Sequence, residues 1–494
     1  MDLTLLENRK KLIEKIESKT NLGRKSETFQ QAEVYNDRIK DYVVRELRKQ
    51  FSEQTVIEMP VVSSLNVCKR VVNNQAIIYN DAPERKWTDL NDNQAATVWR
   101  VYNELKANKK LGNANRYYKL HKQCLIQVVP VNGELQMRVL RPFQWDAIPS
   151  EFDPEVAEAY IISSYDKSDE LSETIPKTAT GYNSISGQSQ NEYKASLDMA
   201  TRAKQKNKTY VVWTKDFNFI MDYEGNVLSE VNDNPLKEYG IMPFIEVSEE
   251  KEFEYWVRQA SALSDFSIEF NARMSEVAQI SKMQGFAQAY LKGNEKVLVE
   301  NLQIGPNYVL KILNDPANQI ESEFGFASPN SDIAGSIQFL EVLLTGFLSS
   351  QGVDPKTVSL NGEGQKYSSG LERLLALIEK MSASKNDYDT FQYVEGILWD
   401  LLKVWLNVLN GTPTLKQEYW VSIPVDSDVV VKFAQPQTVE TEGDKVDLAQ
   451  KKIDLGVYSP VQYIMDTQEL DSREEALLIY QQYLQDQLIK PAMG

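Results

Sequence analysis

The chain is poor in the residues that most often carry chemistry. One histidine, His121, and two cysteines, Cys68 and Cys124, occur among 494 residues. Any histidine-based triad is therefore confined to one position, which sits in the polar run Tyr118-Lys119-Leu120-His121-Lys122 without a Gly-x-Ser-x-Gly elbow elsewhere. His121 reads as a surface or half-buried structural residue. The two cysteines have no further cysteine or histidine at metal-ligand spacing, so both read as reduced, mostly structural thiols of a chain made in the cytoplasm. Cations are also short, with 54 Lys and Arg against 71 acidic residues and a net charge of -17. Tight, non-specific binding to nucleic acid needs clustered cations that displace counterions, and the chain as a whole lacks that footprint. The start MDLTLLENRKKLIEKIESK has no apolar stretch of signal-peptide length, and no window is read as approaching the ~18 apolar residues of a membrane span. A soluble, non-secreted chain with no membrane partner is expected.

What the sequence does have is length and a change of hydrophobic period along it. At roughly 150 residues per domain the length predicts about three folding units. The first ~50 residues read as a peripheral helical arm, because Leu5, Leu12 and Ile16 are too sparse for a deep core face. After Met59-Pro60, the residues Leu65, Cys68, Val71 and Val72 recur at helical spacing, with Pro83 as a stop. Asp92 or Asn93 can cap a next helix, whose Val98, Val101, Tyr102 and Leu105 follow the i, i+3, i+4, i+7 rule until Gly112.

The period then becomes two. LIQVVPV, the turn Asn132-Gly133 and ELQMRVL predict a hairpin; AYIISSYD and YVVWTKDFNFIMDYEGNVL, with a turn at Glu224-Gly225-Asn226, extend the sheet. Between them, Asp166 to Lys208 is rich in small polar residues and reads as a solvent-facing excursion. From Glu252 to Leu291 the period is helical for about 40 residues, on the order of 55 Å. A block broken by Gly305-Pro306, Asp315-Pro316 and Ser328-Pro329 follows, then a second helical run from Asp332 to Ser350, a glycine loop, and a third run from Ser369 that stops at Gly411 before Pro413. The tail holds a short strand, DVVVKF, a helix stop at Gly456, a cap at Ser459 before Pro460, and a charged helix from Ser472 to about Leu488.

Three groups of residues could suggest chemistry. Gly362-Glu363-Gly364-Gln365-Lys366 fails as a phosphate loop, because Gln365 separates Gly364 from its lysine and Tyr367 stands at the magnesium-ligand position; it reads as a flexible glycine loop. The dinucleotide fingerprint fails at Tyr367 as well. Carboxylate pairs such as Asp89 with Asp92, or Glu321 with Glu323, read as capping and solvation. Tyr255, Trp256, Trp399 and Trp405 are placed on long helices as packing groups, with Trp399, Leu402, Leu406 and Leu409 on one stripe. No catalytic residue, cofactor or metal site emerges.

The order of these features resembles the portal proteins of tailed bacteriophages. Gly240-Ile241-Met242-Pro243-Phe244-Ile245-Glu246-Val247 leading into a long helix is similar to a last wing strand entering a stem. The succession of long helix, Pro-broken block, helix, glycine loop, Ser369-Gly370-Leu371 and long helix is similar to stem, clip, stem, tunnel loop and tunnel-wing helix. KKIDLGVYSPVQYIMDTQELDSREEALLIYQQYL resembles the family's crown. The resemblance implies an α+β portal fold: arm and mixed wing over 1–250, with 166–208 as an insertion; first stem helix 251–293; a small α/β clip 294–330; second stem helix 331–350; tunnel loop 351–369; tunnel-wing helix and returning wing strand 370–434; helical crown 435–494. It also implies a homo-oligomeric ring, usually of twelve subunits, at one capsid vertex of the virion. The implied partners are double-stranded DNA passing with low affinity, the large terminase subunit, a head–tail adaptor, the major capsid protein and a scaffold.

An acidic ring suits a channel through which a stiff polyanion must slide. The resemblance then makes Lys356, Gly362, Gly364 and Lys366 the channel-loop candidates, with ordinary solvated loop lysines as the alternative, and Lys296, Lys311, Glu321 and Glu323 the clip-docking candidates. Two rivals remain open: another ring-forming head–tail virion protein, and a packaging enzyme, against which the missing Walker loop argues.

Overall fold

The structure, a computed structural model, describes residues 3–164, 208–257, 262–285, 288–292, 323–327, 332–353, 355, 370–433, 450, 453, 459–468 and 472–489. The segments expected to form the polar excursion (166–207), most of the clip, the glycine loop and the stop at Gly456 lie outside them.

Helix starts follow side chains that can accept from otherwise unpaired backbone N–H groups. After α1 (Leu6–Ile16), Ser18 caps α2 (Lys19–Tyr35); α3 (Lys40–Leu47) follows, Ser52 caps α4 (Glu53–Glu58), and Asn66 caps α5 (Val67–Gln75). The short strand β1 (Glu84–Trp87) precedes α6 (Asp92–Glu104), where the cap is Asn91: its side chain accepts from Gln94 N while Gln94 Oε1 accepts from Asn91 N, both at 2.9 Å. The expected end at Gly112 is corrected. The break comes at Lys106, whose left-handed backbone (φ 53) closes α6, and α7 (Ala107–His121) then runs through Gly112. A Cβ at Gly112 would meet Tyr79 Cβ at 3.3 Å, so glycine serves close packing there rather than termination.

Two antiparallel sheets follow. β2 (Gln123–Val131), β3 (Glu134–Leu140) and β9 (Phe244–Ser248) form one, with β2 in the middle. β4 (Trp145–Pro149), β5 (Ala157–Ser164), β6 (Thr209–Thr214), β7 (Phe217–Asp222) and β8 (Asn232–Asp233) form the other in sequence order. Alternation decides the faces. Cys124, Ile126 and Val128 of β2, with Ile245 and Val247 of β9, join the core under α6 and α7, whereas Leu125 and Phe244 face a cluster around Trp145, Tyr160 and Tyr255. Ala159 and Ile161 of β5 lie on the opposite face from Tyr160, under Leu12, Ile13 and Ile16 of α1.

The N-terminal region is therefore no peripheral arm. Leu5 is exposed as a sparse pattern would suggest, but α1 covers the five-stranded sheet, and Val34, Ile39, Val43 and Leu47 are buried in a core shared with α5 and with helices from the middle of the chain. Few apolar residues suffice because each meets a partner far away in sequence.

The long helical run from Glu252 is also corrected. Residues 252–256 are irregular, with Phe253 left-handed (φ 58), α8 spans only Ala262–Gly285, and Gln288–Lys292 is a strand, β10, paired with β11 (Glu323–Ala327). Tertiary packing overrides the helical spacing: Tyr255 and Trp256 are drawn into the Trp145 cluster, with Trp145 and Trp256 ring centroids 4.6 Å apart. Neither aromatic lies on a long helix, contrary to expectation.

The second run forms α9 (Ile333–Ser350), capped by Asp332, and the third forms α10 (Gly370–Val408), which closes near Gly411 (φ 74). α9 corrects the reading of apolar windows: its 18 residues have a mean hydropathy of 1.4, long and apolar enough for a membrane span by length and composition, although Ser336, Gln338, Glu341 and Thr345 interrupt it. The returning strand β12 (Val429–Lys432) pairs with β1, joining residues more than 300 positions apart (Glu84 with Lys432). Residues 435–494 form a separate unit in which Ser459 caps α11 (Pro460–Gln468) and α12 (Arg473–Ile489) follows, with Ile464 and Ala476 buried.

Candidate functional site

The region on which the functional reading turns is the helical frame that leads into and out of residues 356–369. In α8, Ser267, Asn271 and Ser275 recur every fourth residue and are buried. Asn271 and Ser275 replace a strand partner. Asn271 Nδ2 donates to Leu65 O (2.7 Å), Leu65 N donates to Asn271 Oδ1 (3.2 Å), and Val62 N donates to Ser275 Oγ (2.8 Å), so the extended segment before α5 finds its partners on a helix. A polar i, i+4 row inside a helix is the sequence signal for this seam, and it carries no reactive group.

On another side α8 packs against α9. Phe266 and Phe347 stack with centroids 3.8 Å apart, and Leu340, Leu344 and Leu348 of α9 are buried at i, i+4, i+8 beside Leu263, Ile268 and Phe270. Gly352, at φ 65, ends α9, Val353 turns into the core, and Gln75 Nε2 of α5 donates to Gln351 O at 2.7 Å. The chain is thus fixed to α5 at the point where it enters the glycine loop. Lys356, Gly362, Gly364 and Lys366 lie outside the described residues, as do Lys296, Lys311 and Glu321; Glu323 opens β11, opposite Lys292.

The other face of α9 is open. Phe339 and Val342 are 60% and 64% exposed, and Leu343 joins them. The second half of α10 is the reverse: Phe391, Val394, Leu398, Trp399, Leu402, Trp405, Leu406 and Leu409 are buried. The expected stripe through Trp399, Leu402, Leu406 and Leu409 is core, and its two indoles are satisfied, Trp399 Nε1 donating to Ser427 O (3.1 Å) and Trp405 Nε1 to Val128 O (2.9 Å).

Three carboxylates hold elements together. Arg85 of β1 and Glu395 of α10 form an ion pair whose side chains are 1% and 0% exposed; Arg85 donates to Glu395 through Nε (2.9 Å) and Nη2 (2.6 Å), and Tyr79 Oη donates to the same carboxylate at 3.0 Å. Glu246 accepts from Gln123 Nε2 (2.6 Å) and Tyr255 Oη (2.8 Å) and pairs with Lys251 (2.7 Å). Asp146 ties β4 to α2 through Arg24 (3.0 Å) and Lys25 (2.5 Å). Burial lowers the Arg24 guanidinium to about 10, against the opposing pull of Asp146.

His121 departs from expectation: it is fully buried, not at or near the surface, because the last turn of α7 packs under α2, where His121 Nδ1 lies 2.8 Å from Gln31 Oε1. Burial, helped by the charge of Arg141, pushes its pKa down to about 3 and keeps the ring neutral. Cys68 and Cys124 are free and buried; burial raises the Cys68 thiol to about 12 and raises Cys124 as well, so neither is a reactive thiolate. The expected cap at Asp92 or Asn93 is corrected: Asn91 caps α6, and Asp92 is the first residue inside the helix, where its charge suits the helix N-terminus. No group of three or more His, Cys, Asp or Glu side chains is placed to hold a metal among the described residues.

The class these elements define is an α+β protein: two antiparallel sheets, two further strand pairs, and long helices packed on them. Compared with known proteins, the chain matches no family model and no curated sequence.

Proposed function

We propose that the chain is a portal subunit of a tailed bacteriophage, assembling into the ring through which DNA is packaged, retained and ejected at one capsid vertex. The observation that carries this reading is the order of elements from β9 to β12. A strand leads to a helix, then to a small two-stranded block, a second helix packed on the first, and, after residues 356–369, a long helix that returns to the sheet-bearing core before the last strand closes on β1. The exposed apolar face of α9 supports assembly, since a contiguous patch of this kind on a single chain marks an interaction surface. In this reading the loop 351–369 projects into the channel, with Lys356 and Lys366 as guides for DNA, and 294–330 docks the large terminase subunit and the adaptor. The major capsid protein and a scaffold complete the partners, the subunit number is the family's usual twelve, and no catalytic step is assigned to the chain.

Negative-stain imaging of the purified full chain tests the reading: rings with a central hole are expected, and a strict monomer at every concentration would overturn it. Within rings, Lys356→Glu with Lys366→Glu is expected to impair packaging or retention while assembly persists. Unchanged packaging would remove the loop contact and leave the ring.

A further inference from the structure

A cavity of about 440 Å³ opens between the C-terminal end of α2, α5 with the turn after it, α7 and the segment after β3. Its lining is unusual for so acidic a chain. Arg116, Arg141, Asn36, Asn73, Asn80 and Asn113 contribute to it with Tyr35 and Tyr117, and no carboxylate is among the lining residues. Neither arginine has an acidic partner within ion-pair distance among the described residues.

The internal hydrogen bonds consume acceptors and leave donors. Asn73 Oδ1 accepts from Tyr35 Oη at 2.8 Å, and Asn113 Oδ1 accepts from Arg116 Nη1 at 3.0 Å. Each amide then retains its NH2 group, which has no partner among the described residues. Tyr117 Oη accepts from Arg141 Nη2 at 2.9 Å and keeps its own proton, while the Arg141 guanidinium sits 4.5 Å from the Tyr117 ring centroid, which fixes it in place. Two acids adjoin the lining in sequence: Asp37, after Asn36, is turned to Lys69 and Asn66, and Asp81, after Asn80, forms no ion pair with Arg116 or Arg141. Beyond the bonds to Asn113 and Tyr117, Arg116 and Arg141 therefore present two permanent charges and further N–H groups with no acceptor among the described residues.

We propose that this cavity binds a small phosphorylated molecule of mononucleotide size, its phosphate held by Arg116, Arg141 and the amides of Asn73 and Asn113. An oxyanion supplies acceptors and charge to the two guanidinium groups and to the NH2 groups of Asn73 and Asn113. The volume falls within the range of small-molecule sites and is several times what an inorganic phosphate fills, leaving room for an organic group beside Tyr35 and Tyr117. An open pocket of this size with two arginines on an acidic chain suits a discrete ligand better than a continuous nucleic-acid strand, which needs an extended basic track. This inference rests on none of the reading as a portal.

Titration calorimetry of the full chain with inorganic phosphate, adenosine monophosphate, adenosine and a short DNA duplex tests it. Adenosine monophosphate is expected to bind, phosphate to bind more weakly and compete with it, and adenosine and duplex not to bind. Arg116→Gln with Arg141→Gln should weaken binding by at least about tenfold. Because removing Arg141 also disturbs Tyr117, Asn73→Asp is the second variant. It keeps the acceptor used by Tyr35 and replaces the free NH2 with a charged oxygen, and it should weaken binding comparably with the melting temperature unchanged. Equal binding of adenosine and its monophosphate, affinity unchanged in both variants, duplex that binds or displaces the monophosphate, or no binding of any probe at millimolar concentration would each overturn the proposal.

Discussion

Helix α9 and the second half of α10 are both rich in large apolar side chains, yet they end in opposite circumstances. The second half of α10 is enclosed by β2, β9, α6 and α7, its indoles donate to backbone carbonyls, and Glu395 on the same helix carries a buried ion pair with Arg85 and accepts from Tyr79. α9 buries a single row, Leu340, Leu344 and Leu348, and leaves Phe339 and Val342 to solvent. Composition alone does not separate them. The second half of α10 is packed within one chain, while α9 carries exposed apolar side chains, the kind of surface at which the proposed subunits would meet.

The sharpest way to break this contrast is to attack the enclosed side. Glu395→Ala leaves the Arg85 guanidinium buried without its partner, and a loss of about 3–5 kcal/mol is expected in urea unfolding of the full chain. A loss below about 1 kcal/mol would mean that water reaches the pair and that the region is less closed than described.

A second effect is a dependence on pH. His121 titrates near its usual 6.5 when unfolded but at about 3 when folded, so below 6.5 the unfolded chain takes up a proton that the folded chain refuses. The stability that this group contributes is present above 6.5 and is lost as pH falls toward 3, by up to roughly 1.4 kcal/mol per pH unit. Carboxylates add their own slope, so the informative quantity is the difference between the wild type and His121→Gln. The variant should lose stability less steeply over that window, and parallel curves would refute the assignment.

Local structure should matter less. Asn91→Ala removes one half of the reciprocal cap of α6 and is expected to cost about 1 kcal/mol, read as a shift in the denaturation midpoint at constant slope. The smallest effect on stability is expected on the open face of α9: Val342→Ser with Phe339→Ser should change unfolding of the isolated chain by no more than about 0.5 kcal/mol, because neither side chain is buried. Ring formation, measured by sedimentation, should nevertheless weaken. Unaltered assembly would show that this face is not where copies meet.

Much of the secondary structure could be read in advance because its causes are local. The Asn132-Gly133 turn, the strands on either side of it, the α9 helix and the stop at Gly411 all depend on neighbours within a few residues. Failures came where a distant partner decided. Residues 252–256 have helical spacing, but Tyr255 and Trp256 gain more by packing on Trp145. Gly112 looked like a terminator and is instead a contact with Tyr79. Of the candidate site, the helices that frame the glycine loop were legible from their periodicity, whereas the asparagine–serine row of α8 was not recognised, since its partners at Val62 and Leu65 lie about 200 residues away in the chain.

By itself the sequence determined the α+β alternation, the long apolar helices, the deficit of cations and the scarcity of groups that could act as nucleophile, base or metal ligand, because these depend on residue type and on periods of two and 3.6. Only the tertiary structure decided that β12 returns to β1, that Arg85 meets Glu395, that His121 is sealed against Gln31, and that two arginines with four asparagines line one cavity. Each of those arrangements joins positions whose proximity is set by the packing of whole helices and sheets, and no local pattern carries that information.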